Sequence, residues 1–263
     1  MYRIAITNDD GIESPGLKSV AEALLPLGEL IVFAPSGQMT AAGSSLHGKQ
    51  DAYFKKIDYP VNGTVIKAGH CDCSPARVVL HGLYVLFDEY PDLIVSGCNY
   101  GENLGCNVTV SGTVGAALQA ASVGIPALAV SLETSMKDHY VHTRQEWATA
   151  QYFTHFFAEM ILGKAFPHDV DVLNVNIPAS ATEETEWRLA SLSRQTYFSN
   201  HIKNPAPDSR LSEAECRYGF DEETLEPESD IKLFKSGYVT VTPLSLDLTS
   251  RIGFKTLDSF LRK

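Results

Sequence analysis

The sequence predicts an α/β fold: a Rossmann-like, doubly wound and mostly parallel sheet with a β-rich extension at its C-terminal end. Strand-like and helix-like segments alternate over the first two-thirds of the 263 residues, and such alternation implies right-handed crossovers between parallel strands. The second strand segment, "ELIVFAP", has a continuous apolar run, as expected of a strand buried on both faces. Beyond Pro178 the helical periodicity fades and short alternating segments follow.

Strands are predicted where short apolar or alternating runs are bounded by turn residues. They cover, in chain order, 3–8, 29–35, 50–59, 63–69, 92–97, 126–132, 171–178, 186–198 and 237–244. Helices are predicted where apolar residues recur at helical spacing. They cover 14–28, 74–87, 113–124 and 143–163. The first helix has Ser14 as its N-cap and Pro15 at its first position, which is a typical helix start.

The change of pattern near Pro178 suggests how the chain is divided. We expect residues 1–180 to form the Rossmann-like core and residues 181–263 to form a β-rich extension that completes the same domain. The segment 183–230 is acidic and has little periodicity. We expect this extension to lie on the sheet and to include an arm that packs on another subunit.

The composition limits the classes of function. With a formal net charge of −11 and a pI of about 5.1, the chain lacks the basic footprint that nucleic acid backbones require. The sequence opens without the long apolar segment of a signal peptide, and no apolar run approaches a membrane span. We therefore expect a cytoplasmic protein with no DNA duplex, RNA duplex or membrane as partner. The odd number of cysteines, five, argues against a disulfide framework.

Two adjacent carboxylates, Asp9 and Asp10, follow the first predicted strand. Asp is a frequent turn residue, so a capping role is one interpretation, but Ser14 and Pro15 already start the next helix. Carboxylates at a strand end also hold hard divalent cations, which remove the repulsion between them. The pair therefore indicates a Mg²⁺ or Mn²⁺ site, and we expect the neutral Asn8 to hydrogen-bond water or phosphate beside it.

Two further loops begin at strand ends, where ligands of such sheets bind. The segment "APSGQMTAAGSSLHG" carries the hydroxyl of Thr40, although its small residues also suit a flexible linker. The segment "VSGCNYGENLGCNVTVSGTVGAALQ" interleaves glycine with Asn99 and Asn103 before a helix starts near Ser111–Thr113. Free N–H groups at a helix N-terminus form an anion site. This loop is neither a Walker loop nor a dinucleotide fingerprint. Together with the acidic pair at the neighbouring strand end, it favours a combined metal and phosphate site.

Taken together, these motifs resemble the SurE family, the survival-protein, metal-dependent 5′/3′-nucleotidases. The similar segments are "ITNDDGIESPGL", "APSGQMTAAG", "PDLIVSGCNYGENLG", "SGTVGAAL", "PALAVS", "LNVNIP" and "GYVTVTPL". They extend from Ile4 to about Leu244. The resemblance implies an enzyme that hydrolyses nucleoside 5′-monophosphates, with 3′-monophosphates as a further substrate class, to nucleoside and phosphate. It also implies a homodimer or homotetramer.

The resemblance implies one divalent metal ion per subunit, Mg²⁺ or Mn²⁺ with other divalent ions open. Its protein ligands would be Asp9, Asp10, Thr40 and Asn99. Thr40 stands where the family usually has serine. Threonine keeps the hydroxyl but adds a methyl group, which would crowd the site if it faced the metal.

The same resemblance matches Ser111, Gly112 and Thr113 to the family's phosphate-contacting segment. Asn99 and Asn103, in the loop before them, are candidate substrate contacts as well. One larger departure precedes the second predicted helix. The family usually has Gly-Thr-Pro-x-Asp-Cys-Val there, whereas this chain has "GHCDCSPARVV". The base preference and the subunit contacts therefore stay open.

The expected chemistry is metal-assisted hydrolysis, in which the cation polarises a phosphate oxygen and orients a water molecule for in-line attack. Asp9 or Asp10 would accept the proton of that water, and a covalent aspartyl-phosphate also stays open. Alternatives are a haloacid-dehalogenase-type phosphatase, a receiver-like regulatory module and a non-catalytic nucleotide- and metal-binding scaffold. The first would require Asp-x-Asp where this chain has Asp-Asp-Gly, and the second would leave the glycine-rich loop without a purpose.

Overall fold

The computed structural model describes residues 1–139 and 141–262. The strands are β1 (Tyr2–Thr7), β2 (Gly28–Pro35), β3 (Lys55–Val61), β4 (Thr64–Cys71), β5 (Leu93–Tyr100), β6 (Ala127–Leu132), β7 (Val172–Ile177), β8 (Trp187–Leu189), β9 (Phe198–His201), β10 (Glu215–Tyr218) and β11 (Val239–Leu244). The α-helices are α1 (Pro15–Leu24), α2 (Pro75–Val85), α3 (Gly112–Ala121), α4 (Ala148–Ile161), α5 (Asp230–Lys235) and α6 (Phe254–Leu261).

Nine strands form one sheet in the order β3-β4-β2-β1-β5-β6-β7-β11-β8. The strands from β4 to β7 are parallel to their neighbours, whereas β3 and β11 run antiparallel to β4 and β7. The chain winds outward from β1 in both directions, first through β2 and β4 and then through β5, β6 and β7. The predicted doubly wound, mostly parallel sheet is therefore confirmed. Its switch point lies between β1 and β5, where ligands of such sheets bind.

Helices cover both faces of the sheet. On one face α1 and α4 pack in an apolar cluster that contains Leu17, Val20 and Phe153. On the other face α2 and α3 pack in a second cluster that contains Val79 and Ala117. Because the central strands are covered on both sides, most of their side chains are apolar, with a few buried serine, threonine and asparagine residues among them.

The helix predicted over 143–163 begins late, at Ala148. The backbone carbonyl of Thr143 accepts from the Tyr100 hydroxyl (3.0 Å) and its N–H donates to the carbonyl of Val141 (2.9 Å), and such bonds compete with the helical pattern. The connection between β6 and α4, described over 133–139 and 141–147, is therefore longer than predicted, and its residue His139 lies at the site described below.

Residues 181–262 contribute more than strands. β8 and β11 extend the large sheet, β9 and β10 pair as a separate antiparallel hairpin, and α5 and α6 are helices that we did not predict. The single strand predicted over 186–198 is wrong. The backbone N–H of Ser193 donates to the Asp230 carboxylate (2.9 Å), so the chain leaves the sheet between β8 and β9. The division of the chain at residue 180 stays a prediction.

Two further properties concern the cysteines and the helices. All five cysteines are free thiols. In the part of the chain that the structure describes, no helix has the length and apolar character needed to cross a membrane.

Candidate active site

The register of β1 and β5 brings the candidate ligands together. Thr7 is paired with Ser96, so Asp9 and Asp10 leave the end of β1 beside the last residues of β5. Within β5 the register against β6 shifts between Ser96 and Asn99. The two carboxylates and the Asn99 amide thus meet at the switch point of the sheet.

A cleft opens at this point, and five predicted site residues line it. They are Asp9, Thr40, Asn99, Asn103 and Ser111. The second loop is tied to the first by the backbone, because the N–H of Met39 donates to the carbonyl of Asp9 (2.7 Å). Thr40, the next residue, is exposed at the cleft, so its methyl group is not enclosed by neighbours.

Asp9 is held by the first turn of α3. The Thr113 hydroxyl donates to Asp9 Oδ1. Gly112 lies so close that a Cβ atom there would be 2.7 Å from Asp9 Oδ2, which only glycine avoids. Burial raises the pKa of Asp9 to about 6, while the Thr113 hydroxyl and the backbone N–H groups of residues 112 and 113 oppose this rise. The helix N-terminus therefore stabilises the ionised form of Asp9, which burial disfavours.

Asp10 is held from the other side. Its Oδ1 accepts from the Gln38 amide (3.0 Å) and its Oδ2 accepts from the backbone N–H of Tyr100 (3.3 Å). Burial, and after it the charge of Asp9, raises the pKa of Asp10 to about 8. The Gln38 side chain and the backbone of Tyr100 thus fix Asp10 next to a like charge.

These buried carboxylates lack a positive partner. Among the described residues, no lysine, arginine or histidine forms an ion pair with Asp9 or Asp10. Uncompensated buried charge is costly, and a divalent cation would compensate it. The set of two carboxylates, the Asn99 amide and the Thr40 hydroxyl supplies oxygen ligands, which Mg²⁺ and Mn²⁺ prefer. The donor chemistry therefore fits the predicted cation.

Asn8 is fully buried. Its amide donates to the carbonyl of Gly11 (3.1 Å), and its amide oxygen accepts from the backbone N–H of Gly11 (3.1 Å). These bonds close the turn that carries Asp9 and Asp10. The contact of Asn8 with water or phosphate stays a prediction, and the contacts made here serve to position the carboxylates.

Asn99 and Asn103 are fixed by different networks. The amide of Asn99 donates to the carbonyl of Gly101 (2.6 Å). The amide of Asn103 donates to the Ser131 hydroxyl (2.9 Å), and its backbone N–H donates to the side chain of Asn176 (2.7 Å). Strands β6 and β7 therefore hold the loop that follows β5 in place at the cleft.

The three residues predicted to contact phosphate lie at the start of α3. The Ser111 hydroxyl caps the helix by accepting from the N–H of Val114 (3.1 Å). The Thr113 side chain is fully buried and its hydroxyl is already bonded to Asp9. Of this trio only Ser111 lines the cleft, so the phosphate contacts of Gly112 and Thr113 stay predictions.

The sequence did not reveal the rest of the cleft. Its remaining wall includes Glu102, His139, Phe198, Asn200 and Cys216. Glu102 lies within the glycine-rich loop, where its signal in the sequence is a lone charged residue among glycine and asparagine. The others come from the connection 133–147 and from the β9–β10 hairpin, both far from the motifs in sequence.

A family model described as survival protein SurE matches residues 4–199. This chain belongs to the SurE family. The resemblance drawn from the motifs is thus confirmed. The matched residues 4–199 include the switch point, the second loop and the start of α3. The loops that carry the motifs and line the cleft therefore lie within the part of the chain that the family model matches.

Curated members of the SurE family match almost the whole chain. A protein named 5′-nucleotidase SurE from Methanocella arvoryzae is 39% identical, over 95% of this chain and 94% of its own length. A protein of the same name from Archaeoglobus fulgidus is 36% identical, over 98% and 97%. The crystal structure of the SurE protein from Aquifex aeolicus is 29% identical and superimposes with a TM-score of 0.75, over 99% of this chain and 100% of that one. The SurE fold therefore extends over the C-terminal extension as well.

Proposed function

We propose that this chain is a phosphomonoesterase that hydrolyses nucleoside 5′-monophosphates to nucleoside and phosphate, with 3′-monophosphates as a further substrate class. One observation carries the proposal: Asp9 and Asp10 are buried side by side at the switch point, within the described residues without an ion-pair partner, and beside the start of α3. The names of the curated relatives, 5′-nucleotidase SurE, agree with it.

The residues proposed to hold the cation are Asp9, Asp10, Asn99 and Thr40, with one divalent ion per subunit, Mg²⁺ or Mn²⁺. When bound, such an ion polarises a phosphate oxygen and lowers the pKa of a bound water. The carboxylate of Asp9 or Asp10 takes up the proton that the attacking water loses. The acceptor is a carboxylate oxygen of either residue that does not bind the cation.

The phosphate group is proposed to bind against the start of α3. The Ser111 side chain lines the cleft there, and the N–H groups of the first helical turn carry a partial positive charge. Donors aimed at the equatorial oxygens stabilise the charge that develops in phosphoryl transfer. Asn103, held by β6 and β7, is proposed as a further substrate contact, and Asn8 as a positioning residue for the carboxylates.

We also propose that residues 181–263 supply an arm for a homodimer or homotetramer. Helix α6 supports this, because Phe254 and Phe260 are each 74% exposed. Apolar side chains exposed in a cluster commonly mark a protein interface. Replacing both phenylalanines with serine should shift the mass measured by light scattering toward that of a single chain, and an unchanged mass would contradict the arm. The cytoplasmic location expected from the sequence stays a prediction.

One assay tests the proposed function. The purified chain is incubated with each nucleoside 5′- and 3′-monophosphate and with p-nitrophenyl phosphate, with Mg²⁺, with Mn²⁺ and with a chelator. We expect repeated turnover of nucleotides that the chelator abolishes and added Mn²⁺ or Mg²⁺ restores. A single stoichiometric phosphorylation would instead indicate a receiver-like module, and no turnover with any nucleotide or metal would indicate a binding scaffold.

A further inference from the structure

Glu102 is a buried carboxyl group in the wall of the cleft that has no part in holding the cation. It lies in the loop after β5, between the candidate ligand Asn99 and the candidate substrate contact Asn103, and it lines the same cleft as Asp9 and Ser111. Only 4% of Glu102 is exposed. Its Oε2 atom has no hydrogen-bond partner among the described residues. Buried polar atoms without partners are rare and call for a functional explanation.

The groups that face Glu102 come from several elements. They are Tyr197 before β9, Cys216 and Tyr218 in β10, Glu133 after β6 and Lys235 at the end of α5. The Tyr197 hydroxyl is fully enclosed and faces Glu102, although no described residue lies in ordinary hydrogen-bond geometry to it. Glu102 is absent from every ion pair among the described residues, so Lys235 acts on it only at a distance.

This environment favours the neutral carboxylic acid. Burial is the main cause that raises the pKa of Glu102 to about 7, and the charge of Glu133 adds to the rise. Its own backbone N–H, the nearby Tyr197 hydroxyl and the charge of Lys235 oppose it. A carboxylic acid that titrates close to neutral pH is suited to donating a proton, because the ideal pKa of a general acid lies near the working pH.

The reaction needs such a donor. When the phosphorus–oxygen bond of a nucleoside monophosphate breaks, the leaving alkoxide is strongly basic and requires a proton. Asp9 and Asp10 serve the cation and the attacking water, on the side opposite to the leaving group in an in-line displacement. In the described part of the cleft wall, Glu102 is the one acidic side chain besides Asp9.

We propose that Glu102 is the proton donor to the leaving oxygen of the nucleoside. This inference rests on the proposed nucleotidase function. The water oxygen forms the new bond to phosphorus as the bond to the nucleoside oxygen breaks. The electron pair of the broken bond stays on the nucleoside oxygen, which takes the proton of the Glu102 carboxyl. Solvent then returns a proton to Glu102, and the proton of the attacking water leaves through the Asp9–Asp10 pair.

The test compares two leaving groups in Glu102→Gln, which keeps the shape of the side chain but cannot donate an acidic proton. With adenosine 5′-monophosphate, kcat should fall about 100-fold, the lower range for loss of a general acid. With p-nitrophenyl phosphate, whose leaving group is weakly basic and needs no proton, we expect kcat to change less than about threefold. This second substrate also reports whether the variant is folded. Glu133→Gln, a neighbouring carboxyl outside the cleft wall, is the matched control and should leave both rates within about threefold.

The pH dependence of kcat tests the role of Glu102 independently. In the parent enzyme, kcat for the nucleotide should decline above about pH 7, because the donor must carry its proton, and this decline should be absent in Glu102→Gln. Equal losses on both substrates would mean a structural role and would overturn the inference, as would no loss on either. A parent enzyme that hydrolyses p-nitrophenyl phosphate but no nucleotide would contradict the proposed function itself, and so would be distinguished from failure of the Glu102 assignment.

Discussion

The two walls of the cleft are built in different ways. The inner wall is formed by the Asp9–Asp10 turn and the start of α3, of which Asp9 and Ser111 line the cleft itself. The outer wall consists of His139, Phe198, Asn200 and Cys216. The inner wall follows directly from strand ends and a helix start, and each of its carboxylates is hydrogen-bonded by another element. The outer wall comes from a long connection and a small hairpin that do not belong to the central sheet.

This difference suggests a division of labour. The inner wall is buried, acidic and tightly bonded, which suits a fixed cation and a reacting phosphate. The outer wall carries the aromatic rings of His139 and Phe198, with centroids 5.4 Å apart, and the amide of Asn200. Rings and amides suit the base and sugar of a nucleotide. Substitutions in the inner wall should therefore affect every phosphomonoester, and those in the outer wall only nucleotides.

The largest effect is expected from Asp9→Asn. Loss of a carboxylate from the cation site should lower kcat by about a thousandfold for nucleotides and p-nitrophenyl phosphate alike, since a bound cation contributes several kcal/mol to the transition state. The melting temperature in chelator should not fall, because burial already disfavours the charged Asp9. Asp58→Asn, an exposed position on β3, is the control. Activity above a tenth of the parent value in Asp9→Asn would remove Asp9 from the mechanism.

A smaller effect on the same wall is expected from Thr113→Val. Without the hydroxyl, the pKa of Asp9 rises further and protons compete better with the cation. The Mn²⁺ concentration for half-maximal activity should therefore increase about 10- to 100-fold, as is common when a supporting hydrogen bond is lost. Thr154→Val removes a hydroxyl that is equally buried but bonds within α4 (2.6 Å), and it should leave this concentration unchanged. A similar shift in both variants would contradict the role of Thr113.

The outer wall should respond differently. Phe198→Leu should raise KM for adenosine 5′-monophosphate about tenfold, because stacking on a base contributes about 1–3 kcal/mol. It should leave KM for glycerol phosphate, which has no base, unchanged. Phe220→Leu alters the same aromatic cluster outside the cleft wall and serves as the control. Equal changes for both esters in Phe198→Leu would contradict the separation of the two walls.

The smallest effect is expected from Thr40→Ser. Thr40 is exposed, so removal of its methyl group should alter activity less than about twofold. Thr40→Val removes the hydroxyl instead and should weaken cation binding about tenfold. Metal titrations of the two variants, side by side, measure this. A marked gain of activity or of cation affinity in Thr40→Ser would mean that the methyl group does crowd the metal.

The inner wall was predictable because its signals are local. Apolar strands that alternate with helices predict a parallel sheet, and the residues that directly follow each strand are then predicted to lie at its carboxyl edge. Local patterns did not reveal that Gln38 and Tyr100 donate hydrogen bonds to Asp10, because those bonds depend on how separate loops meet.

The outer wall was not predictable, because its contacts join residues that are distant in sequence. The position of Phe198 depends on Asn107, whose amide donates to the Phe198 carbonyl (3.1 Å) and whose oxygen accepts from the Phe198 N–H (2.9 Å). The two residues lie 91 positions apart. No periodicity in an acidic, loop-rich segment indicates such a pairing, and the long strand predicted there was wrong.

The central claim is that Asp9 and Asp10 share a divalent cation with Asn99 and Thr40. Crystals grown with Mn²⁺ and measured near the manganese absorption edge test it most directly. We predict one strong anomalous peak per subunit at the switch point, with carboxylate oxygens of Asp9 and Asp10 at about 2.1 Å, the distance typical of a small hard cation. A map with no peak between the two carboxylates, or with its peak elsewhere on the chain, would contradict the account.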